Sequence, residues 1–301
     1  MQQQVVDQEQ LEKPLWRRIV DYPLVALPIA AILAIFATAL GIGLGKLVPP
    51  LGKDWTAIAH ALLVIIPLLL VYKFIIVRLG DRPRDDLAWT DGAASKLGLG
   101  LFVGFLIMAV AVAIAAILGI YRIEGAGDTS RLVLEIVGVA IMPGLTEELF
   151  FRGILFRWIE DFGGSWAALI VTSALFGLAH IMNPNATWFA SFAIAVEAGL
   201  LLGGAYMLTR SLWFPMGLHA AWNLTQGEIF DIPVSGIDEH GLVQAKMAGP
   251  SLLSGGQFGL EASLITIVLA TMLGLWTIWL SVKRGLIVQP LWVRRRLEAQ
   301  Y

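Results

Sequence analysis

Eight apolar runs, each near the length that crosses a bilayer, constrain this chain more than any other feature. A hydrocarbon layer about 30 Å thick takes about 20 helical residues to cross. The runs are Leu24–Leu47, Ile58–Val77, Leu97–Ile120, Leu132–Trp158, Trp166–Met182, Trp188–Leu208, Leu212–Phe230 and Ala262–Val282. The fifth and seventh are short and partly polar, and each carries a histidine. That suits helices lining a site better than helices facing lipid. Hydrophobic residues make up 57% of the chain and charged ones 15%, with a mean hydropathy of +0.76. A soluble domain has about 45–50% apolar and about 25% charged residues. The expected fold is therefore all-α: a polytopic membrane protein with about eight transmembrane helices.

A net charge of -2 offers no field for nucleic acid. The absence of cysteine excludes disulfides, thiolate metal sites and cysteine nucleophiles. The polar start Met1–Lys13 lacks the basic residues and small-residue cleavage site of a signal peptide, so the first apolar run is expected to remain in the mature chain. With eight crossings and a cytoplasmic N-terminus, sixteen Lys and Arg fall inside and five outside, which predicts that both termini are cytoplasmic. Four parts follow: a cytoplasmic segment 1–23, three helices in 24–130, a core in 131–231, and a glycine-rich loop, last helix and basic tail in 232–301. Arg82-Pro83-Arg84-Asp85-Asp86 reads as a solvated loop, and Arg294–Arg296 as a topology anchor. The loop Gln226–Leu260, with Pro233, Pro250 and Gly255-Gly256, is expected to fold back over the membrane face.

Charge inside the fourth run asks for a chemical reason, because each charge is expensive in hydrocarbon. Glu148 and Arg152 are four residues apart and share a helix face, so they can pair. Glu147 points about 100° away and is left for another role. Its neighbour one turn on is Phe151, and burial beside an aromatic raises a carboxylate toward the range of a general base. Arg157 and Glu160 read as snorkelling at the membrane edge. The fifth run pairs Phe176 with His180 and the seventh pairs His219 with Asn223, again four apart. Asn223 can orient the imidazole or hold an oxyanion. Glu197 in the sixth run has no partner legible in its neighbourhood, while His60 and His240 read as structural or surface residues. Glu147, His180 and His219 together allow two chemistries. They can hold a divalent metal such as zinc with an open position for water, or work without metal, the carboxylate taking a proton from water. An H-E-x-x-H zincin helix is absent.

Glu147-Glu148-x-x-x-Arg152, Phe176-x-x-x-His180 and His219-x-x-x-Asn223, in this order on separate apolar helices, resemble the three motifs of the CPBP family. These are intramembrane proteases related to the type II CAAX prenyl endopeptidases and to bacteriocin-processing proteins. The resemblance covers 132–223 strongly and extends more loosely through Gly255-Gly256-Gln257-Phe258-Gly259. It implies eight transmembrane helices and peptide-bond hydrolysis within the membrane. By position, Glu147 is implied as the base, His180 and His219 as holders of water or metal, and Asn223 as part of an oxyanion hole. Glu148 and Arg152 are implied as supporting residues. The implied partners are the lipid bilayer and a membrane-associated protein or peptide substrate, and the implied location is a bacterial plasma membrane. The rival reading is a non-proteolytic scaffold, immunity protein or transporter that uses the same polar cavity for binding. His180 lies about 9 Å past the midpoint of its run at 1.5 Å per residue. Convergence with Glu147 and His219 therefore predicts irregular helix geometry, with Pro143-Gly144 as one place for a bend.

Overall fold

A computed structural model describes residues 13–81, 83–90 and 92–300. Most of the N-terminal segment, including the stretch read for a signal peptide, lies outside the described residues, as does Arg82. Apolar segments of this length satisfy their backbone in lipid by closing it into helices. They do so here. A short α1 (Leu15–Asp21) leads into α2 (Pro23–Gly45), α3 (Lys53–Phe74) and α4 (Ala93–Ile117). A composite rod follows: α5 (Leu132–Glu135), a π-helical turn (Ile136–Ile141), α6 (Met142–Phe150), a second π turn (Phe151–Phe156) and α7 (Arg157–Ala179). Next come α8 (Trp188–Ile194), a π turn (Ala195–Gly199), α9 (Leu200–Thr209), α10 (Trp213–Leu224) and a π turn (Thr225–Ile229). The chain ends through α11 (Ser251–Ser254), α12 (Leu264–Lys283) and α13 (Leu291–Glu298).

Six stretches among the described residues are long and apolar enough to cross a membrane. The expected fourth and fifth crossings form one 54-residue helical path, Thr129–Met182, interrupted at Gly164 (φ 82°, ψ 170°). The expected seventh is short, 12 α-helical residues and then five π-helical ones, below the about 20 needed to span hydrocarbon. The surface is inverted as lipid requires. Ile32, Phe36, Phe102 and Met272 are each more than half exposed, whereas α2 buries a stripe of Ala26, Ala30, Ala34 and Ala37. This is an all-α integral membrane protein with one departure. Strand β1 (Tyr121–Ala126) pairs antiparallel with β2 (Val243–Met247), setting Tyr121 against Met247 and Arg122 against Lys246. The pair ties the loop after α10 back to the end of α4. Neither strand is legible in sequence, because each is short and its partner is more than a hundred residues away.

Two sequence readings are corrected at one end of the bundle. Arg157 and Glu160 do not snorkel; both are buried. Arg157 donates to the carbonyls of Arg84 (2.9 Å) and Leu79 (3.1 Å). Glu160 accepts from Arg210 (2.6 Å) and Ser165 (2.6 Å). The 82–86 loop is not merely solvated either. Asp86 is buried, accepting from Tyr206 (2.8 Å) and Arg84 (3.0 Å), and Asp85 pairs with Lys73 (2.7 Å). Neighbouring charges spread over five elements satisfy one another here, which spacing along a single helix does not reveal. The tail is also docked, with Arg294 donating to the Asp161 carbonyl (2.6 Å).

α10 lies deep because α4 presents glycines to it at the crossing. A Cβ on Gly100 would sit 2.2 Å from the Phe214 carbonyl oxygen, and one on Gly104 2.2 Å from that of Leu218. Gly104→Val must push α10 aside. We expect it to lower the melting temperature in detergent, with an overpacking cost of at least the usual ~1–3 kcal/mol. A melting temperature equal to wild type would show that the helices do not cross this closely.

Candidate active site

The convergence of the motifs begins with Pro143. Proline has no N–H for the carbonyl four residues back, which belongs to Val139. Asn223 donates its Nδ2 to that oxygen at 2.9 Å, tying α10 to the π turn that precedes α6. One residue on, a Cβ on Gly144 would meet Ala220 at 3.0 Å, so glycine lets α6 approach α10 one residue from His219. The irregularity expected from the position of His180 is present, in four π turns and the break at Gly164. A π turn shifts the register of all that follows, and such turns concentrate at functional sites. Three of these turns carry buried charges: Arg152, Glu197 and Glu228.

Glu148 and Arg152 pair as their spacing predicts, at 2.7 Å, both fully buried. The sequence does not show that Glu148 has a second partner. The same Oε1 lies 2.9 Å from Nδ1 of His219. Arg152 also stacks over the Phe176 ring at 4.7 Å. That ring lies 4.7 Å from the His180 ring and 6.1 Å from that of His219. His180 places Nδ1 2.7 Å from the Phe176 carbonyl oxygen. A carbonyl only accepts, so this nitrogen carries the proton and Nε2 keeps a lone pair. In a neutral ring the carboxylate of Glu148 selects the same tautomer for His219. Each imidazole, when neutral, then leaves Nε2 as an acceptor.

A small cavity of about 20 Å³, room for about one water, opens beside these rings. His180, His219 and Asn223 line it with Phe176, Glu197 and Glu261. Glu147 is not part of that lining. It lies within electrostatic reach of His219 and Arg152, and its Oε2 is buried without a hydrogen-bond partner. Sequence reasoning left Glu197 unassigned and missed Glu261 and Ser235, which the long loop brings onto the cavity as it folds back. Burial pushes Glu261 up to about 7, against the pull of Ser235, His219 and Trp222 nearby. Its one sequence signal is an acid set between apolar residues just ahead of the last crossing. His60 and His240 are exposed and take no part.

Among the described residues, the triad whose ligand atoms all lie within 4.8 Å of one another is Glu135, Glu228 and Glu239.

Residues 129–225 match the model of the type II CAAX prenyl endopeptidase Rce1-like family. This stretch is similar to an Rce1-like domain. Every motif residue lies within it, from Glu147 to Asn223. An uncharacterized 24.3 kDa protein of Escherichia coli is 25% identical over 175 residues, covering 56% of this chain and 77% of its own length. No solved structure matches. The match covers about a third of the chain and likens that stretch to an endopeptidase family, while six apolar helical stretches among the described residues are those of a membrane protein.

Proposed function

We propose that this protein is an intramembrane endopeptidase that hydrolyses a peptide bond of a membrane-associated protein or peptide, using a water activated by Glu147. The observation that carries the reading is that His180 and His219, each with Nδ1 engaged by an oxygen, line one cavity with Asn223, and that His219 lies within electrostatic reach of Glu147, whose Oε2 has no hydrogen-bond partner. Glu147 takes a proton from the water, and an imidazole Nε2 holds the water's other hydrogen. The oxygen attacks the scissile carbonyl. The second N–H of Asn223, the one not given to Val139, donates to the oxyanion. Glu147 then returns its proton to the leaving amine. Glu148 and Arg152 position His219, and Phe176 spaces the two rings. No step here needs a metal.

The charges support the same orientation. Arg84, Arg157 and Arg210 gather at one end of the bundle, and Arg122 faces Lys246 at the other. We place the first end, with both termini, in the cytoplasm of a bacterial cell. The test is cleavage of a membrane peptide library by purified protein. Wild type is expected to cut with or without chelator. Cutting lost on chelation and restored by zinc would move the mechanism to a metal site. No cutting by wild type would favour a binding role for the cavity.

A further inference from the structure

Three carboxylates meet at the opposite end of the bundle from the Arg84–Glu160 network. Glu135 closes α5, Glu228 lies in the π turn after α10, and Glu239 comes from the long loop. One oxygen from each lies within 4.8 Å of the others. All three residues are more than nine-tenths buried. Like charges so close repel, and burial adds a desolvation cost to each. The second observation concerns what reaches them. No N–H or hydroxyl donor bonds either oxygen of Glu228, Oε2 of Glu135 or Oε1 of Glu239, although all four atoms are buried. The cation at hand is Arg131, 3.8 Å from Glu135 and half exposed. It offsets one negative charge of three.

We propose that Glu135, Glu228 and Glu239 bind a divalent calcium ion that staples the long loop onto the membrane helices. The donor set is all oxygen and all anionic, which suits a hard cation. Calcium takes oxygens at about 2.3–2.6 Å, so ligands on opposite sides of it lie about 4.6–5.2 Å apart. Magnesium demands near-ideal octahedral geometry and usually keeps several waters, so three carboxylates from separate segments suit calcium better. Two calcium charges and Arg131 neutralise the three carboxylates. The position gives the ion a structural effect. Glu239 follows Ser235, one of the cavity residues, and precedes β2, so fixing it holds the loop over the cavity from both directions. The loop already bends tightly here: Leu242 donates to the Glu228 carbonyl at 2.6 Å, and Asp231 accepts from Gly241 and Ala245.

The test is calorimetric titration of calcium into the full-length protein in detergent after chelator treatment, with melting curves alongside. Wild type is expected to bind one calcium per chain and to gain several degrees in melting temperature, with a smaller response to magnesium. Glu239→Gln and Glu228→Gln are expected to lose both responses at least tenfold. Each is also expected to melt at or above the calcium-free wild type, because neutralisation removes repulsion. That second readout separates a lost site from a misfolded chain. Glu124→Gln, on an exposed strand position, is expected to respond like wild type. Absence of stoichiometric binding to wild type would overturn the proposal. So would calcium responses in the two glutamine variants equal to wild type, since the acids would then be a protonated cluster and nothing more.

Discussion

Glu147→Gln is expected to lower peptide cleavage by about 10²–10⁴-fold, the usual contribution of a positioned general base, while leaving the fold intact. The amide keeps the shape of the side chain but accepts no proton from water. Stability should hardly move, because Oε2 of Glu147 has no hydrogen-bond partner to lose. A melting temperature near wild type with unchanged cleavage would remove Glu147 from the reaction. The next acid to test would then be Glu148, whose Oε1 touches His219 at 2.9 Å. Glu148→Gln is therefore the informative partner experiment. It disturbs both the ion pair and the imidazole, so it should reduce stability and cleavage together. Glu147→Gln should reduce cleavage alone.

Arg152→Met is expected to cost about 3–5 kcal/mol of stability, the range for removing one partner of a buried ion pair. Both side chains are fully buried, so Glu148 would keep its charge with only His219 beside it. The guanidinium also stacks on Phe176, and that packing goes with it. The check is the melting temperature in detergent, read with the double variant Glu148→Gln/Arg152→Met. Removing both charges should restore most of the stability, since a buried pair is worth little against neutral groups of similar size. Cleavage should stay low in the double variant, because His219 no longer has a carboxylate to set its tautomer. Full activity in the double variant would mean that the pair serves folding and not the imidazole.

Helix spacing made part of the site legible. Residues four apart on one helix share a face whatever surrounds them, so Glu148 with Arg152 and Phe176 with His180 could be paired from the chain alone. Contacts across helices could not. The bond from Glu148 to His219 and that from Asn223 to Val139 join residues more than seventy positions apart. Arg157 and Glu160 were misjudged for the same reason. A charge at the end of an apolar run resembles a snorkelling residue until its partners are known, and theirs come from distant segments. The long loop hid most. Glycine-rich sequence shows that the chain bends but not where it lands, so Ser235 and Glu261 on the cavity, and Glu239 against Glu135 and Glu228, come from tertiary structure.

By itself the sequence determined that this chain lives in a membrane, that its segments are helical, and which few polar residues stand inside apolar helices. Those follow from transfer of side chains and backbone out of water, which acts on each segment separately. The tertiary structure decided which histidines line one cavity, which acid supports His219, which buried carboxylate oxygens are left without a hydrogen bond, and where three more carboxylates collect. These depend on π turns, on a proline that frees one carbonyl, and on glycines that bring two helices into contact. Each acts through the distance between segments, and distance is set only when the whole chain has packed.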